Sequence, residues 1–117
     1  MPAKPEMPQF LLLLRQPAGG VPAPDELKKI MEQFAKWMQG MSAQGLVVAT
    51  NGLEITGKVL RGPRGATITD GPYPESKEIV GGYVLIAAAG EEQAIAAARD
   101  CPGLEHGMVV EVRRVRH

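Results

Sequence analysis

The sequence predicts an α+β domain, in which helices and strands pack as layers around one core. Three observations support this class. Short apolar runs typical of strands lie on both sides of two helix-like segments. The order along the chain is strand, helix, strand, small hairpin, strand, helix, strand. The chain has 117 residues, enough for a modest core. We therefore expect one domain over residues 9–116, after a flexible, proline-containing segment over residues 1–8.

The first strand is predicted in the apolar run of residues 8–15. The run is short and lies between prolines, which favours a central strand that is buried on both faces. Residues 16–24 contain three prolines and two glycines, and we expect them to form a loop.

A long amphipathic helix is predicted from Pro24 to Met41. Proline in the first position loses no hydrogen bond, and Asp25 and Glu26 suit the positive end of the helix dipole. Apolar residues follow at spacings of three and four and form one stripe: Leu27, Ile30, Met31, Phe34, Trp37, Met38 and Met41. Gly45 is expected to stop the helix.

The middle of the chain is predicted to form a strand, a turn and a hairpin. The strand covers Leu46–Thr50, and Asn51-Gly52 has the composition of a turn. The short runs Lys58–Arg61 and Ala66–Thr69 flank a glycine-proline turn at residues 62–65. We expect this hairpin at the periphery of the sheet, because both of its arms are short.

The last third of the chain supplies two more strands and a second helix. Tyr83–Ala88 is apolar on both alternating faces, and Met108–Arg113 has the pattern of a last strand. Between them, Glu91–Asp100 is rich in alanine and ends before Pro102. Without the hairpin, the elements follow the βαββαβ order of a ferredoxin-like sheet. The predicted fold is therefore ferredoxin-like with an inserted hairpin.

Such a fold leaves one face of the sheet open, because two helices cover only the other face. Apolar residues on an open face are usually covered by another molecule, most often a second copy of the chain. Two sheets packed face to face would form a dimeric α/β barrel with a cleft between the subunits. The alternative is a monomer whose open face is a ligand pocket.

The composition narrows the class of protein. Thirteen basic and thirteen acidic residues cancel, which argues against direct binding to nucleic acid or to an anionic membrane. The single cysteine rules out an internal disulfide, and no apolar run has the length of a signal peptide or a membrane span. We expect a cytoplasmic protein. The spacing of the two histidines and the cysteine does not suit zinc, and no phosphate-binding motif occurs, so we expect neither a metal nor a cofactor.

The strongest candidate for a site is the loop Asp70–Glu78, which Gly81-Gly82-Tyr83 closes. Prolines stiffen the loop, and charged side chains are concentrated in it. Asp70 fits either an Asx-turn, in which its carboxylate accepts backbone N–H groups, or the role of a general base or cation partner. We predict that Asp70 is catalytic. Five further residues of the loop are predicted to bind a ligand: Gly71, Pro72, Tyr73, Lys77 and Glu78.

Three residues outside the loop complete the predicted site. Tyr83 offers a phenol, although an aromatic at the start of a strand also serves packing. His106 offers an imidazole, which exchanges protons near neutral pH. Arg15 ends the first strand, where it suits a carboxylate or phosphate or else keeps a sheet edge solvated. We predict catalytic roles for Tyr83 and His106 and an anion-binding role for Arg15.

Together these residues resemble the signature of one family. The segment from Asp70 to Glu78, followed by Gly81-Gly82-Tyr83, closely resembles the Asp-Gly-Pro-Phe motif of the YCII-related, or DGPF-domain, proteins. Tyr73 stands where that motif usually has Phe. The likeness covers nearly the whole chain. It implies a bacterial protein with one YCII-related domain over residues 9–116, folded as a dimeric α/β barrel.

The resemblance implies less about activity. Some members of the family look like companions of extracytoplasmic-function sigma factors. A related branch includes a dehydrochlorinase of aromatic degradation, thought to use a His–Asp pair whose histidine lies near the start of the first helix. The helix Pro24–Met41 has no histidine here, and only Asp100-Cys101-Pro102 resembles a part of that pair.

Two functions fit these observations. The first is a homodimer that binds a small polar or aromatic molecule in a cleft beside the Asp-Gly-Pro loop. Such a protein would be a cofactor-independent isomerase or lyase that works by proton transfer, with Asp70 or His106 as the base. The second is a non-catalytic ligand-sensing or protein-interaction module that is linked to transcription through sigma factors.

Overall fold

The structure is a computed structural model that describes residues 7–17, 23–71 and 78–116. The described residues form two α-helices and six β-strands, which confirms the predicted α+β class. In chain order the elements are β1 (Gln9–Pro17), α1 (Pro24–Ala43), β2 (Val47–Gly52), β3 (Gly57–Arg61), β4 (Thr67–Gly71), β5 (Glu78–Ala87), α2 (Glu91–Arg99) and β6 (Val109–Arg114). Short 3₁₀ turns at Pro63–Gly65 and Pro102–His106 precede β4 and β6.

Four of the strands form one antiparallel sheet in the order β2-β5-β1-β6. The two longest strands, β5 with ten residues and β1 with nine, lie in its centre. This arrangement is compatible with the ferredoxin-like fold. The remaining strands, β3 and β4, pair with each other in a separate two-stranded sheet.

The core lies between the four-stranded sheet and the two helices. Phe10, Leu12 and Leu14 are buried on the helix side of β1, whereas the residues between them are only partly buried. The rest of the core comes from β5 and the helices, chiefly Val84, Ile86, Trp37, Met41, Ala94 and Ala98. The prediction that β1 is buried on both faces is therefore wrong for the single chain, because both helices pack on the same face.

Helix α1 begins at the predicted residue and ends at Ala43, two residues beyond the predicted Met41 and before Gly45. Pro24 is its first residue. At the other end, the amide of Leu46 donates a hydrogen bond to the carbonyl of Met41 at 3.0 Å, and the amide of Gly45 donates to Ser42 at 2.9 Å. These two bonds form a Schellman motif, which requires the positive φ of 74° that Gly45 adopts without steric cost.

The prediction of a turn at Asn51-Gly52 is wrong. Both residues belong to β2, where they pair with Tyr83 and Gly82 of β5. Asn51 pairs with the first residue of the predicted strand, and because β5 begins at Glu78 instead of Tyr83, Gly82 is available to pair with Gly52. Pairing with a long central strand thus overrides the local preference for a turn.

The pairing of β1 with β5 contains a bulge at Gly81. Leu14 pairs with Gly82 and Arg15 with Val80, which leaves Gly81 as the extra residue. A glycine inside a strand often marks a bulge, and the register places one at Gly81.

Candidate functional site

The predicted site residues that the structure describes lie on three different surfaces. Tyr83 and Arg15 project from the sheet face opposite the helices, as their register with the alternating residues of β1 and β5 requires. His106 lies in the wall of a cavity on the helix side. Asp70 lies on the two-stranded sheet. The described residues therefore do not gather these four side chains into one cluster.

Asp70 sits on an exposed surface of the hairpin. It lies opposite Lys58 across the β3–β4 pair, and the two side chains form an ion pair. The Asp70 side chain is 86% exposed, so water screens the pair and the pair stabilises the hairpin little. Within the described part of the chain, no hydrogen bond joins Asp70 to the other predicted catalytic residues.

Two of the predicted ligand-binding residues of the loop are described. Gly71 ends β4, and Glu78, which is exposed, begins β5. A Cβ atom at position 71 would lie 3.1 Å from Cγ2 of Val59, so the close packing of the hairpin is enough to explain a glycine there. The other three, Pro72, Tyr73 and Lys77, lie outside the described residues.

On the open face of the sheet, one row of side chains crosses all four strands. In order, the row contains Asn51, Tyr83, Leu13 and Glu111. The side-chain amide of Asn51 donates to the Tyr83 hydroxyl at 3.2 Å. The guanidinium of Arg15 donates to Oε1 of Glu111 at 2.7 Å from Nη2 and at 3.2 Å from Nε. Because Arg15 already holds a carboxylate of its own chain, an external anion would have to compete with Glu111.

A cavity of about 750 Å³ opens on the helix side, between α1 and the sheet. Most of its wall is apolar and includes Leu14, Ile30, Phe34, Met38, Val84 and Met108. The wall also contains Ile79 and Gly81, which follow Glu78 in β5. A concave site of this size with mainly apolar walls is typical of binding sites for small organic molecules.

His106 is the one titratable side chain among the described residues of the cavity wall. It ends the 3₁₀ turn that begins at Pro102, and Gly107, with a φ of 86°, then turns the chain toward β6. The imidazole is exposed and makes no hydrogen bond to another described residue. It is therefore available to a molecule in the cavity.

Gln16 is a residue of the cavity wall that the sequence prediction missed. The signal was present, because Phe10, Leu12, Leu14 and Gln16 occupy alternate positions and only the last is polar. It was hidden because the prediction places residue 16 in a loop, whereas β1 continues to Pro17. A polar side chain thus extends a row of core residues into the cavity.

A second depression, of about 470 Å³, lies between α1 and α2. Its wall includes the long polar side chains of Gln33, Lys36 and Gln93 and also Trp37, which donates from Nε1 to the carbonyl of Ala97 at 3.0 Å. It contains none of the predicted site residues. The larger cavity is therefore the better candidate site.

Cys101 is buried in the core. Burial raises the pKa of its thiol, and hydrogen bonds with the backbone of Gly103 and Leu104 offset this only in part. A thiol that stays protonated is a poor nucleophile.

Among the residues that the structure describes, no group of three or more His, Cys, Asp or Glu side chains is placed to hold a metal ion.

Comparison with known proteins identifies the family. The model of the YCII-related domain matches residues 7–117, so the chain belongs to the YCII-related family, as its Asp-Gly-Pro motif predicts. A search of the curated proteins finds no match. Neither of the helices that the structure describes is long and apolar enough to cross a membrane. The family match establishes the type of domain, but it does not identify a reaction.

Proposed function

We propose that this protein binds a small polar or aromatic molecule in the cavity between α1 and the sheet, whose wall includes Ile79, the residue that follows the Asp-Gly-Pro loop in the sequence. The cavity itself carries the proposal, because about 750 Å³ is enough for a molecule of one or two rings. Its apolar wall would remove the rings from water, and Phe34 and Met38 offer soft, polarisable contacts. His106 and Gln16 add polar contacts to the same wall.

If the ligand is a substrate, we propose proton transfer in a cofactor-independent isomerase or lyase. His106 would accept a proton from a carbon next to a carbonyl group, and the electron pair of that C–H bond would form a new double bond. In an isomerisation the proton returns at another carbon. In an elimination a leaving group departs with its own bonding pair. Asp70 and Tyr83 would share in this role only in an assembly that brings the hairpin or the open sheet face to the cavity.

We further propose that two copies of the chain pair through the open sheet face. Leu11, Leu13 and Leu85 are neighbours there and are only partly buried in the single chain. The ion pair of Arg15 with Glu111 lies beside them. An apolar centre with polar groups around it is typical of subunit interfaces, and a two-fold axis would present the same patch from both subunits. The product would be the dimeric α/β barrel that the family resemblance implies.

One observation favours a second candidate function, a non-catalytic ligand-sensing or protein-interaction module linked to transcription. Leu60 and Ile68 are direct partners on the hairpin, and they are 58% and 60% exposed. An apolar pair on a separate two-stranded sheet suits contact with a protein. The zero net charge favours a protein partner, such as a sigma factor, over DNA. Both candidate functions place the protein in the cytoplasm.

Two variants of α1 test the cavity proposal. Met31 lines the cavity and is 64% exposed, whereas Lys36 lines the other depression on the same helix. We expect some members of a panel of phenols, benzamides and aromatic lactones to raise the melting temperature of the wild-type protein and of K36W. M31W should bind them at least about tenfold more weakly, because an indole ring occupies part of the cavity.

The same panel separates the candidate functions. Equal binding by M31W and K36W, or no binding by the wild-type protein, would contradict the cavity proposal. For any probe that the protein also converts, H106Q should bind the probe but lose the turnover. A protein partner that is recovered by the wild type and lost in L60S, without any ligand, would support the interaction module instead.

A further inference from the structure

We infer that Gln16 and Gly81 together make the cavity select ligands with an uncharged hydroxyl or carbonyl group, an inference that rests on the proposed ligand site. The ligand class is then a neutral molecule of one or two rings with one hydrogen-bonding group.

The position of Gln16 is the first observation. Phe10 and Leu12 are 1% and 0% exposed, and Leu14 is 8% exposed, so the helix side of β1 is a row of core side chains. Gln16 continues this row, is partly buried and lines the cavity. Leucine at this position would fit the apolar wall, whereas glutamine places an amide there. Among the described residues no side-chain N or O atom is buried without a hydrogen-bonding partner, so the amide of Gln16 is open to the cavity and not sealed in the core.

The glycine in the bulge is the second observation. A Cβ atom at Gly81 would lie 3.0 Å from Oε1 and 3.1 Å from Cδ of Gln16, which is closer than carbon atoms normally approach these groups. The missing side chain therefore leaves the space that the amide of Gln16 occupies. A glycine in a strand often marks such a close approach, and here the group that approaches is the polar end of a cavity-wall side chain.

The third observation is that, within residues 7–17, 23–71 and 78–116, this amide has no hydrogen-bonding partner. Gln16 makes no side-chain hydrogen bond to any of the described residues, in contrast to Thr50, whose hydroxyl donates to the carbonyl of Tyr83. An amide is both donor and acceptor, so it matches a hydroxyl or a carbonyl group equally well. The amide also carries no charge at any pH near neutrality. Its preference for such ligands should therefore not depend on pH.

Two probes of equal size test the inference: 4-methylphenol, and p-xylene, in which a methyl group replaces the hydroxyl. The quantity to measure is the ratio of their dissociation constants, from chemical-shift titrations at about pH 5.5 and about pH 8, on either side of the ordinary histidine pKa. We expect Q16L to shift this ratio toward p-xylene by roughly three- to tenfold, the value of one neutral hydrogen bond. Q9L is the matched control, because Gln9 lies on the same strand and faces the open side of the sheet.

A second variant guards against a Q16L protein that does not fold. G81A should displace the amide and shift the ratio in the same direction, with the fold checked by circular dichroism. If both probes bind and the ratio is the same in the wild type, Q16L and G81A, the inference is wrong while the ligand site stands. If a shift appears only at the lower pH, a titrating group makes the contact and the assignment to Gln16 is also wrong. If neither probe binds the wild-type protein, the proposed ligand site fails together with the inference.

Discussion

The connection from α2 to β6 places two reactive side chains in opposite environments. Cys101 is 2% exposed and belongs to the core. His106, five residues later, is exposed and lies in the cavity wall. The 3₁₀ turn between them carries the chain from the interior to the surface. Of these two side chains, only the imidazole can contact a ligand in the cavity. The reactivity of the thiol instead measures how well the core excludes solvent and reagents.

We predict that Cys101 reacts slowly in the native protein. Its thiol is buried and its pKa is raised by that burial, so the reactive thiolate is both scarce and shielded. The measurement is the rate of reaction with a chromogenic disulfide reagent, with and without denaturant. We expect the denatured chain to react at least about a hundredfold faster, because local or global opening has to precede the reaction in the native state. If the native protein reacted at a rate close to that of a free thiol, Cys101 would not be buried in solution.

The same thiol should make the free energy of unfolding depend on pH. Because the pKa of Cys101 is raised in the folded protein, the folded chain keeps a proton that the unfolded chain releases. This contribution is intact below the ordinary thiol pKa of about 8.5 and is lost as the pH rises above it. Urea unfolding at about pH 7 and about pH 9.5 should show a larger loss of stability for the wild type than for C101A. Equal losses would contradict the assignment.

At the level of elements, the hairpin β3–β4 differs from the rest of the described structure. It pairs with no strand of the four-stranded sheet, and a two-stranded sheet alone is only marginally stable in water. Leu60 and Ile68 lie opposite each other on one of its faces, beside the ion pair of Lys58 and Asp70. In the isolated chain, the exposed contact between Leu60 and Ile68 should therefore contribute little to the stability of the protein.

We predict that L60S and I68S each change the free energy of unfolding by less than about 1 kcal/mol, as substitutions at exposed positions usually do. L12A is the contrasting variant, because Leu12 is fully buried, and it should cost about 2–5 kcal/mol. Chemical denaturation of the three variants gives these values. A large loss in L60S would mean that a partner surface covers the hairpin in solution.

The elements that depend on local signals could be predicted from the sequence, and those that depend on pairing could not. Pro24, the apolar stripe and Gly45 fix α1 within a few residues, because each acts through its own backbone or its nearest turns. The start of β5 at Glu78 and the end of β2 at Gly52 depend on partner strands that are distant in the sequence. Their polar and glycine-containing ends therefore look like loops in the sequence alone.

In the candidate site, too, the sequence indicates residue types but not the arrangement that depends on strand pairing. It singles out Tyr83 and His106 by residue type, but it does not show that they lie on opposite sides of the sheet. The side of Tyr83 depends on the register with β1, and the bulge at Gly81 shifts that register by one residue. Gln16 was missed because a strand that continues past Arg15 cannot be distinguished from the start of a proline-rich loop.

At the scale of the whole molecule, the uncovered sheet face is the feature that most affects behaviour in solution. We predict a dimer at micromolar concentration in sedimentation experiments. L13D should weaken the dimer by at least about a hundredfold, because a buried, unpaired carboxylate costs several kcal/mol. L104D is the control, since Leu104 is 40% exposed on the 3₁₀ turn away from that face. A wild-type protein that sediments as single chains would rule out this mode of assembly.

The thinness of the molecule has a further consequence. At 21 Å across its shortest direction, the protein is a slab with one layer of core side chains, so a large share of its atoms border solvent. A protein of this shape has few interior contacts to stabilise it. Association with a second copy through the open sheet face would add another layer of buried side chains. Its melting temperature should then rise with protein concentration by mass action. At a low cellular concentration, where the dimer dissociates, the protein would be less stable against unfolding.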